Sequence, residues 1–446
     1  MKSLQICFDF VQVFLFFERW ITLGNRTRII FGSNRKGVYL SKSDFHLLKV
    51  LTECQLLTSK QMLTYYLSME PTATINTIKS KMNRWARYKI VVPFNYRLGQ
   101  VGSNYNYYRI GSRGVDILVE HRVLGQEWRD KDISKYSKRR NIPHFLATQN
   151  IVTTVLAHPN SKYFEGFSPF DTPYLENDKK VILPDWTFVY GYTYLNIELD
   201  VGTEVISELR YKFDRYAAIA QQKPDKRFIV LFAVIDHSFP TKENYGEDRS
   251  KRIGNIKTAL HTNQSLSTPN LHIAVAPLQR ATALATQLLE GYRPLSSDQR
   301  TKELADLLKI VGDFHDHVSF QLERIENVYP ARFNKALQAD AAYTLHSLNN
   351  SKVKNVLFLL MEEGNIHDLE RLIYLHGYLE KDEFLQNIDY IVCCYQDEIE
   401  LHKDVIGMKL DRVFFTDRNK MLSFNEPLTL YKQVQPYKVE EITVGF

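Results

Sequence analysis

The sequence is poor in cysteine and has no apolar run long enough to cross a membrane. Its four cysteines are Cys7, Cys54, Cys393 and Cys394. None has metal-ligand spacing and adjacent cysteines rarely bridge each other, so reduced thiols in a cytoplasmic protein are expected. The apolar run at residues 7–17 is too short for a membrane span and lacks the flanks of a signal peptide. We therefore expect this run to form a buried strand or helix. We expect no membrane among the partners of the protein.

Glycine-rich phosphate loops, internal repeats and low-complexity tracts are also missing, which excludes P-loop nucleotide hydrolysis and repeat architectures. His315, His317 and His346 have the spacing of no metal-ligand set, and surface or packed histidines are the better interpretation. An apolar fraction of 44% and an aromatic fraction of 13% are sufficient for packed cores. The length of 446 residues predicts about three domains.

Charge is distributed unevenly along the chain. The net charge is +6, yet residues 1–140 hold 24 Lys and Arg against 10 Asp and Glu. The remainder holds 33 basic against 41 acidic residues. A basic N-terminal third predicts a surface that faces nucleic acid.

The basic third has the pattern of a winged helix, here placed at residues 41–125 after an extension at 1–40. Two short helices are predicted at 41–51 and 59–67, and a third, basic helix begins after the Glu70-Pro71 break. Ile75, Ile78, Met82 and Trp85 form its apolar stripe. Residues 90–114 then predict a hairpin with its tip at 99–104, followed by a last helix. Helix, helix, basic helix and hairpin is the order of winged-helix DNA-binding domains.

The basic helix is expected to enter the major groove of double-stranded DNA. Lys79, Arg84 and Arg87 are candidates for phosphate or guanine contacts, and Asn76 and Asn83 for adenine. In the tyrosine-rich hairpin, Arg97 is the candidate for a backbone phosphate. The competing interpretations are a solvated helix face and, for at least half of the hairpin tyrosines, packing against the helices.

Residues 181–216 carry the candidate chemistry. Pro184-Asp185 leads into a strand, Gly191 makes a turn, and the return strand ends with Glu198 and Asp200 on one face. A helix of period 3.6 follows and carries Lys212. Such a hairpin gathers three carboxylates into an oxygen-rich pocket, as hard cations require for phosphodiester hydrolysis.

This spacing resembles the PD-(D/E)xK nuclease superfamily, although Asp200 stands where that pattern has lysine. Over residues 40 to 240 the chain resembles more narrowly the replication-relaxation family of plasmids and mobile elements of Gram-positive bacteria. The elements that carry the resemblance are His144 near a helix start, Pro184-Asp185, Glu198–Thr203, and Lys212 with Tyr216. The resemblance implies a DNA-binding protein of replication and DNA relaxation.

If the site is catalytic, the expected cofactor is Mg²⁺ or Mn²⁺. Asp185 and Glu198 would hold the cation with Asp200 assisting, and Lys212 would stabilise the developing phosphorane charge. The alternative is a non-catalytic winged-helix regulator or replication initiator with a degenerate nuclease fold. In that case Pro-Asp is ordinary turn chemistry, and the acids and the lysine are solvated.

The sequence thus predicts an α/β protein with three parts after the extension. These are the winged helix at 41–125, a PD-(D/E)xK-like mixed sheet flanked by helices at 141–290, and a mainly helical region at 295–446. The last part is predicted to be helical from the segments KELADLLKIVGDFHDHVSFQLERI and KVKNVLFLLMEEGNIHDLERLIYLHGYL. We expect it to serve a homo-oligomer or a replication partner.

Overall fold

The computed structural model describes residues 27–31, 36–97, 104–138, 141–169, 171–176, 179–202, 204–240, 249–261, 268–290, 297–314, 318–347, 353–423, 429–436 and 438–443. The chain divides into two compact units, Met1–Arg140 and Asn141–Phe446. Mixed helices and sheets in both units confirm the α/β class. Within the described ranges, no helix combines the length and apolar character that crossing a bilayer requires. The apolar run at 7–17, residues 99–103 of the predicted hairpin tip, His315 and His317 lie outside the described residues.

The N-terminal unit contains the helices and strands that the sequence predicts. Its described residues begin with β1 (Thr27–Phe31) and β2 (Lys36–Leu40), an antiparallel pair. Then follow α1 (Lys42–Glu53), β3 (Leu57–Thr58), α2 (Ser59–Leu67), α3 (Ile75–Arg87), β4 (Val91–Arg97), β5 (Asn104–Ile110) and α4 (Ser112–Glu120). The strands β3, β5 and β4 form one antiparallel sheet. Two short 3₁₀ helices, Gln126–Arg129 and Ile133–Lys138, end the unit.

Local sequence fixes where these helices start. Ser41, Thr58 and Thr74 each accept a hydrogen bond from the backbone N–H three residues on, and the side chain at that position accepts one in return. Such capping boxes satisfy two N–H groups that the helix itself leaves unpaired. On α3 the buried residues are Ile78, Met82 and Trp85, so the predicted apolar stripe is confirmed at these three positions.

The second unit contains a five-stranded mixed sheet. After α5 (Ile142–Ala157), its strands are β6 (Glu165–Phe167), β9 (Trp186–Tyr190), β10 (Thr193–Asp200), β11 (Arg227–Val234) and β12 (Leu271–Pro277). A small pair, β7 (Leu175–Glu176) and β8 (Lys179–Lys180), precedes β9. The first three sheet strands pair antiparallel, whereas β10, β11 and β12 run parallel. Crossovers are made by α6 (Ile206–Gln222) and α7 (Ser250–His261), and α8 (Leu278–Glu290) follows β12.

Helices cover both faces of this sheet. Phe213 of α6 and Ile256 of α7 pack with alternate residues of β11 such as Val230 and Phe232. On the other side α5 and α8 pack against each other and against the sheet. Because β11 is covered on both faces, its sequence is apolar almost without interruption.

The prediction of a mainly helical region after residue 295 is wrong. The described residues there form α9 (Ser297–Phe314), α10 (Ile366–Glu380), α11 (Glu398–Lys403), α12 (Arg418–Met421) and a seven-stranded sheet. Its strands, in spatial as well as chain order, are β13 (Val318–Leu322), β14 (Ala341–Ser347), β15 (Val353–Leu360), β16 (Tyr390–Tyr395), β17 (Val413–Asp417), β18 (Thr429–Gln435) and β19 (Lys438–Thr443). The strands β15, β16 and β17 are parallel, and the other neighbouring pairs are antiparallel.

The error has a physical cause. Strands that are buried on both faces have continuous apolar sequences, which periodicity does not separate from a buried helix. One segment predicted as a single helix is in fact β15 followed by α10, and the chain turns between them at Gly364 with φ +79°. In β16, Cys393 and Cys394 face opposite cores and are free thiols, as is Cys54.

Charged pairs join the two sheets of the second unit. Lys257 of α7 and Asp404 are both buried and form an ion pair. Arg280 of α8 donates to Glu363 at 3.0 Å, and the Val275 N–H of β12 donates to the Gly364 carbonyl at 3.0 Å. The seven-stranded sheet is therefore part of the same compact unit as the five-stranded one.

Candidate functional site

Asp185 lies directly before β9, where hydrogen bonds to the neighbouring strand fix its position. Its backbone N–H donates to the Ile197 carbonyl at 3.0 Å, and the Leu199 N–H donates to Asp185 Oδ2 at 2.7 Å. The side chain therefore bonds to the backbone near the end of β10, while 24% of its surface remains exposed. Pro184-Asp185 and the β9–β10 hairpin thus occupy the positions that the sequence predicts.

His144 reaches the same place from the start of α5. Asn141 caps this helix by accepting the His144 N–H at 3.2 Å. His144 Nε2 lies 3.4 Å from Asp185 Oδ2 and 2.9 Å from the Leu199 carbonyl oxygen. Two residues that are 41 positions apart in sequence are thereby brought into direct contact, because α5 packs on the face of β10.

Glu198 is the buried acid of the site, with 2% of its surface exposed. Tyr216 donates its hydroxyl to Oε1 at 2.6 Å, and Lys212 donates Nζ to Oε2 at 3.1 Å. Lys212 also donates to Glu204 at 2.8 and 3.1 Å. Lys212 and Tyr216 are four residues apart on α6, so both point from one helix face toward β10.

Burial is the largest influence on the pKa values of Glu198, Lys212 and Tyr216. It raises the pKa of Glu198 to about 7, with Lys212 acting against the rise and Asp185 adding to it. For Lys212, burial acts to lower the pKa, but Glu198 and Glu204 together outweigh it and the pKa is raised. Lys212 is therefore a firmly protonated cation beside an acid that titrates near neutral pH. Burial raises the pKa of the Tyr216 hydroxyl well above its ordinary value, so it acts as a donor.

Asp200 has a different partner. It leaves β10 on the same face as Glu198, as predicted, but both of its oxygens accept from Arg252 of α7 at 2.8 Å. Arg252 also donates to the Glu204 backbone carbonyl at 2.7 Å. This two-pronged ion pair is buried at Asp200, which has 2% of its surface exposed. Asp200 is thus held in a structural ion pair.

The donor set does not fit the expected cation as it stands. Both oxygens of Glu198 and both of Asp200 accept hydrogen bonds from cationic or hydroxyl groups, and Asp185 Oδ2 accepts from the backbone. Among the residues that the structure describes, no three His, Cys, Asp or Glu side chains come together as a cation-binding group. A hard divalent cation needs about six oxygen ligands, of which the protein would have to supply several. The predicted three-acid pocket is therefore not formed among the described residues.

Two ion pairs at the candidate site were not predicted from the sequence. Glu204, which lies in the loop after β10, forms an ion pair with Lys212. Arg252, which forms an ion pair with Asp200, lies on α7, 52 residues further along the chain. A lone Arg on a helix carries no sequence signal of its partner. For Glu204, its closeness to the strand end was the one available indication.

The DNA-facing candidates lie on α3 of the N-terminal unit. Its exposed side chains form one stripe, namely Asn76, Lys79, Ser80, Asn83, Arg84 and Arg87. No carboxylate among the described residues forms an ion pair with Lys79, Arg84 or Arg87. Lys81 differs, because it pairs with the buried Asp44 at 2.7 Å. The side chain of Arg97, at the end of β4, lies outside the described part of the chain.

Comparison with known proteins gives one family. The sequence model of the family described as replication-relaxation matches residues 48–234. The match runs from α1 through the Asp185–Glu198–Lys212 group to the end of β11, and the seven-stranded sheet lies beyond it. The predicted resemblance over residues 40 to 240 is confirmed to this extent. No curated protein matches the chain.

Proposed function

We propose that the chain is a DNA-binding protein of a plasmid or other mobile element and that it acts in replication and DNA relaxation. The observation that carries this proposal is the exposed stripe of α3, where three cations and two asparagines stand on one helix face without described acidic partners. A surface of this kind lowers its free energy by neutralising phosphates, which releases counterions. The replication-relaxation match supports the biological setting.

The arrangement around α3 supports a winged-helix mode of binding. The helices α1, α2 and α3 are followed by the β4–β5 hairpin, which pairs with β3 in a small sheet. In this mode α3 enters the major groove, Lys79, Arg84 and Arg87 contact phosphates or guanine, and the asparagines contact adenine. Arg97 at the hairpin would contact the backbone. Tyr107 and Tyr108 are buried and serve packing instead.

Fluorescence anisotropy with the full-length protein tests this proposal. The probe is a labelled duplex from the element's own replication region, titrated at several salt concentrations. Arg84→Glu/Arg87→Glu should weaken binding by roughly 100-fold and flatten the salt dependence, since two phosphate contacts are lost. The control is Lys42→Glu/Lys135→Glu, which makes the same change in charge at exposed positions away from α3. Equal weakening by both double variants would contradict the assignment of α3 to DNA.

A second candidate function is phosphodiester hydrolysis at Asp185, Glu198 and Lys212. The contact between Lys212 and Glu198, beside the His144–Asp185 pair, favours it. Supercoiled plasmid that carries the replication region is incubated with wild type, Asp185→Ala and Glu198→Ala, in the presence of Mg²⁺ or Mn²⁺. Nicking by wild type, reduced roughly 100-fold or more in both variants, would support an enzyme.

The control for this assay is Asp225→Asn, an exposed carboxylate beyond the end of α6. If none of the proteins cleaves while duplex binding persists, the chain is a regulator or initiator in which the acidic group is structural. The closed ion pairs at Glu198 and Asp200 favour that outcome.

A further inference from the structure

An open cavity of about 520 Å³ lies at the surface of the N-terminal unit. It is bounded by the end of α3, the base of the β4–β5 hairpin, the start of α4 and residues 131–134. Its walls include apolar side chains, among them Val91, Pro93 and Ile133. This volume falls within the range of about 300–1,000 Å³ that small-molecule sites occupy.

Cations outnumber acids in the lining of this cavity. Lys89, Arg109 and Lys131 line it, and Asp132 is the one carboxylate among the described lining residues. Asp132 already accepts hydrogen bonds from the hydroxyl of Ser134 at 2.6 Å and from its N–H at 3.1 Å. The cavity therefore carries an excess of positive charge at neutral pH.

The Nε–H group of Arg109 has no hydrogen-bond acceptor among the described residues. Its Nη1 donates to the Ile110 carbonyl at 3.2 Å, but Nε is buried without a hydrogen-bond partner among the described residues. The guanidinium carbon lies 5.8 Å from the centre of the Phe94 ring. A buried N–H that is not hydrogen-bonded costs free energy. Burial lowers the pKa of Arg109, and the negative charge of Asp132 acts on the guanidinium to raise it.

Lys89 stands at a position where glycine would be less strained. It follows α3 with φ +58°, in the left-handed region. Helices commonly end on glycine in this conformation, because a Cβ atom is disfavoured there. A lysine at this position carries strain, and Lys89 is one of the residues that line the cavity.

We propose that this cavity binds a small organic phosphate monoester of nucleotide size. The phosphate would lie among the Lys89, Arg109 and Lys131 cations, and the apolar walls would take the organic group. The first turn of α4 adds N–H donors beside the phosphate, since Gly111 caps this helix without a side-chain hydrogen bond. A DNA backbone exposes phosphates and sugars and would bury little apolar surface against these walls. The apolar walls therefore favour a separate small ligand.

Occupancy of the cavity would be linked to DNA binding, and this part of the inference rests on the proposed function. The cavity touches both α3 and the hairpin, the two elements assigned to DNA. If the ligand changes the affinity for duplex DNA, DNA must change the affinity for the ligand by the same factor.

Isothermal titration calorimetry of the full-length protein, without DNA, tests the site itself. The probes are adenosine monophosphate, adenosine and inorganic phosphate. The monophosphate should bind more tightly than either of the other two, because each supplies only one part of the ligand. Arg109→Gln and Lys89→Gly should each weaken binding by roughly tenfold or more. Lys89→Gly should not lower the thermal unfolding midpoint, so a loss of binding is not a loss of folding.

Lys135→Gln is the matched control, since Lys135 is an exposed lysine of the 3₁₀ helix that follows Lys131 and does not line the cavity. It should leave the affinity unchanged. Absence of binding by the monophosphate at millimolar concentration, or equal losses in Lys135→Gln and Arg109→Gln, would overturn the proposal.

Arg84→Glu/Arg87→Glu separates the two proposals. This variant should keep its affinity for the monophosphate even though it loses DNA. Loss of the monophosphate in this variant would mean that the cavity is not a separate site, and the inference would then fail. Binding of the monophosphate by a wild type that does not bind duplex DNA would retain the site and refute the proposed function.

Discussion

Replacing Glu198 by glutamine should change how the stability of the second unit depends on pH. The folded-state pKa of about 7 lies above the ordinary value of 4.5, mainly because of burial. The folded protein therefore binds this proton more tightly than the unfolded chain does. The stabilisation is complete below pH 4.5 and is lost as the pH rises toward 7. Glutamine resembles the protonated acid and does not titrate, so Glu198→Gln should remove this slope.

The size of the effect follows from the shift. Each pKa unit corresponds to about 1.4 kcal/mol, so a pKa raised from 4.5 to about 7 limits the total loss in wild type to about 3.5 kcal/mol, which is complete only above pH 7. For a unit of this length that corresponds to a change of roughly 5 °C in the unfolding midpoint. We expect the midpoint of wild type relative to Glu198→Gln to fall by most of this amount, about 4 °C, between pH 5 and pH 8. Other titrating groups, such as Glu400, cancel in the difference.

Differential scanning calorimetry at several pH values measures these midpoints. Glu208→Gln, which changes an exposed glutamate of the same helix, should run parallel to wild type at every pH. A constant difference between wild type and Glu198→Gln across this range would refute the assignment of a raised pKa to the buried acid.

Two other substitutions test particular contacts by urea denaturation. Arg252→Met leaves the buried Asp200 without its cation and should lower the free energy of unfolding by about 3–5 kcal/mol, part of which Asp200→Asn in the same chain should restore. Gly364 has φ +79°, and the Cβ atom of Gly364→Ala would lie 2.8 Å from the Val275 carbonyl oxygen, so this variant should lower the free energy of unfolding by about 1–3 kcal/mol. Gly377 lies on α10, and its added Cβ atom would meet no atom within 4 Å, so Gly377→Ala should raise the free energy of unfolding by about 0.5–1 kcal/mol. The assignment of the ion pair would be contradicted if adding Asp200→Asn to Arg252→Met lowered the free energy of unfolding further. Equal changes in the free energy of unfolding for Gly364→Ala and Gly377→Ala would contradict the assignment of strain at Gly364.

Local sequence was sufficient for the N-terminal helices and for one side of the candidate site. Helix caps are set by residues within one turn, so Ser41, Thr58 and Thr74 mark helix starts without knowledge of the fold. The apolar stripe of α3 likewise follows from spacing. The turn at Gly191 and the strand order around it placed Asp185 beside the end of β10.

Only the tertiary structure decided which basic side chain pairs with each carboxylate of the site. Two acids at alternate positions of β10 look equivalent in sequence, yet Glu198 takes a lysine and a tyrosine of α6 while Asp200 takes an arginine of α7. The two carboxylates lie on one face, but different helices pack over them. Partner choice depends on helix packing across the sheet, which no spacing along the chain encodes.

The C-terminal sheet was hidden for a related reason. Periodicity reports the contrast between a buried and an exposed face, and β15 and β16 have no exposed face because α9 and α10 cover the two sides. Without that contrast an apolar run predicts burial but not conformation. The sequence by itself determined where the chain is buried there, and only strand pairing with distant segments decided that the buried chain is extended.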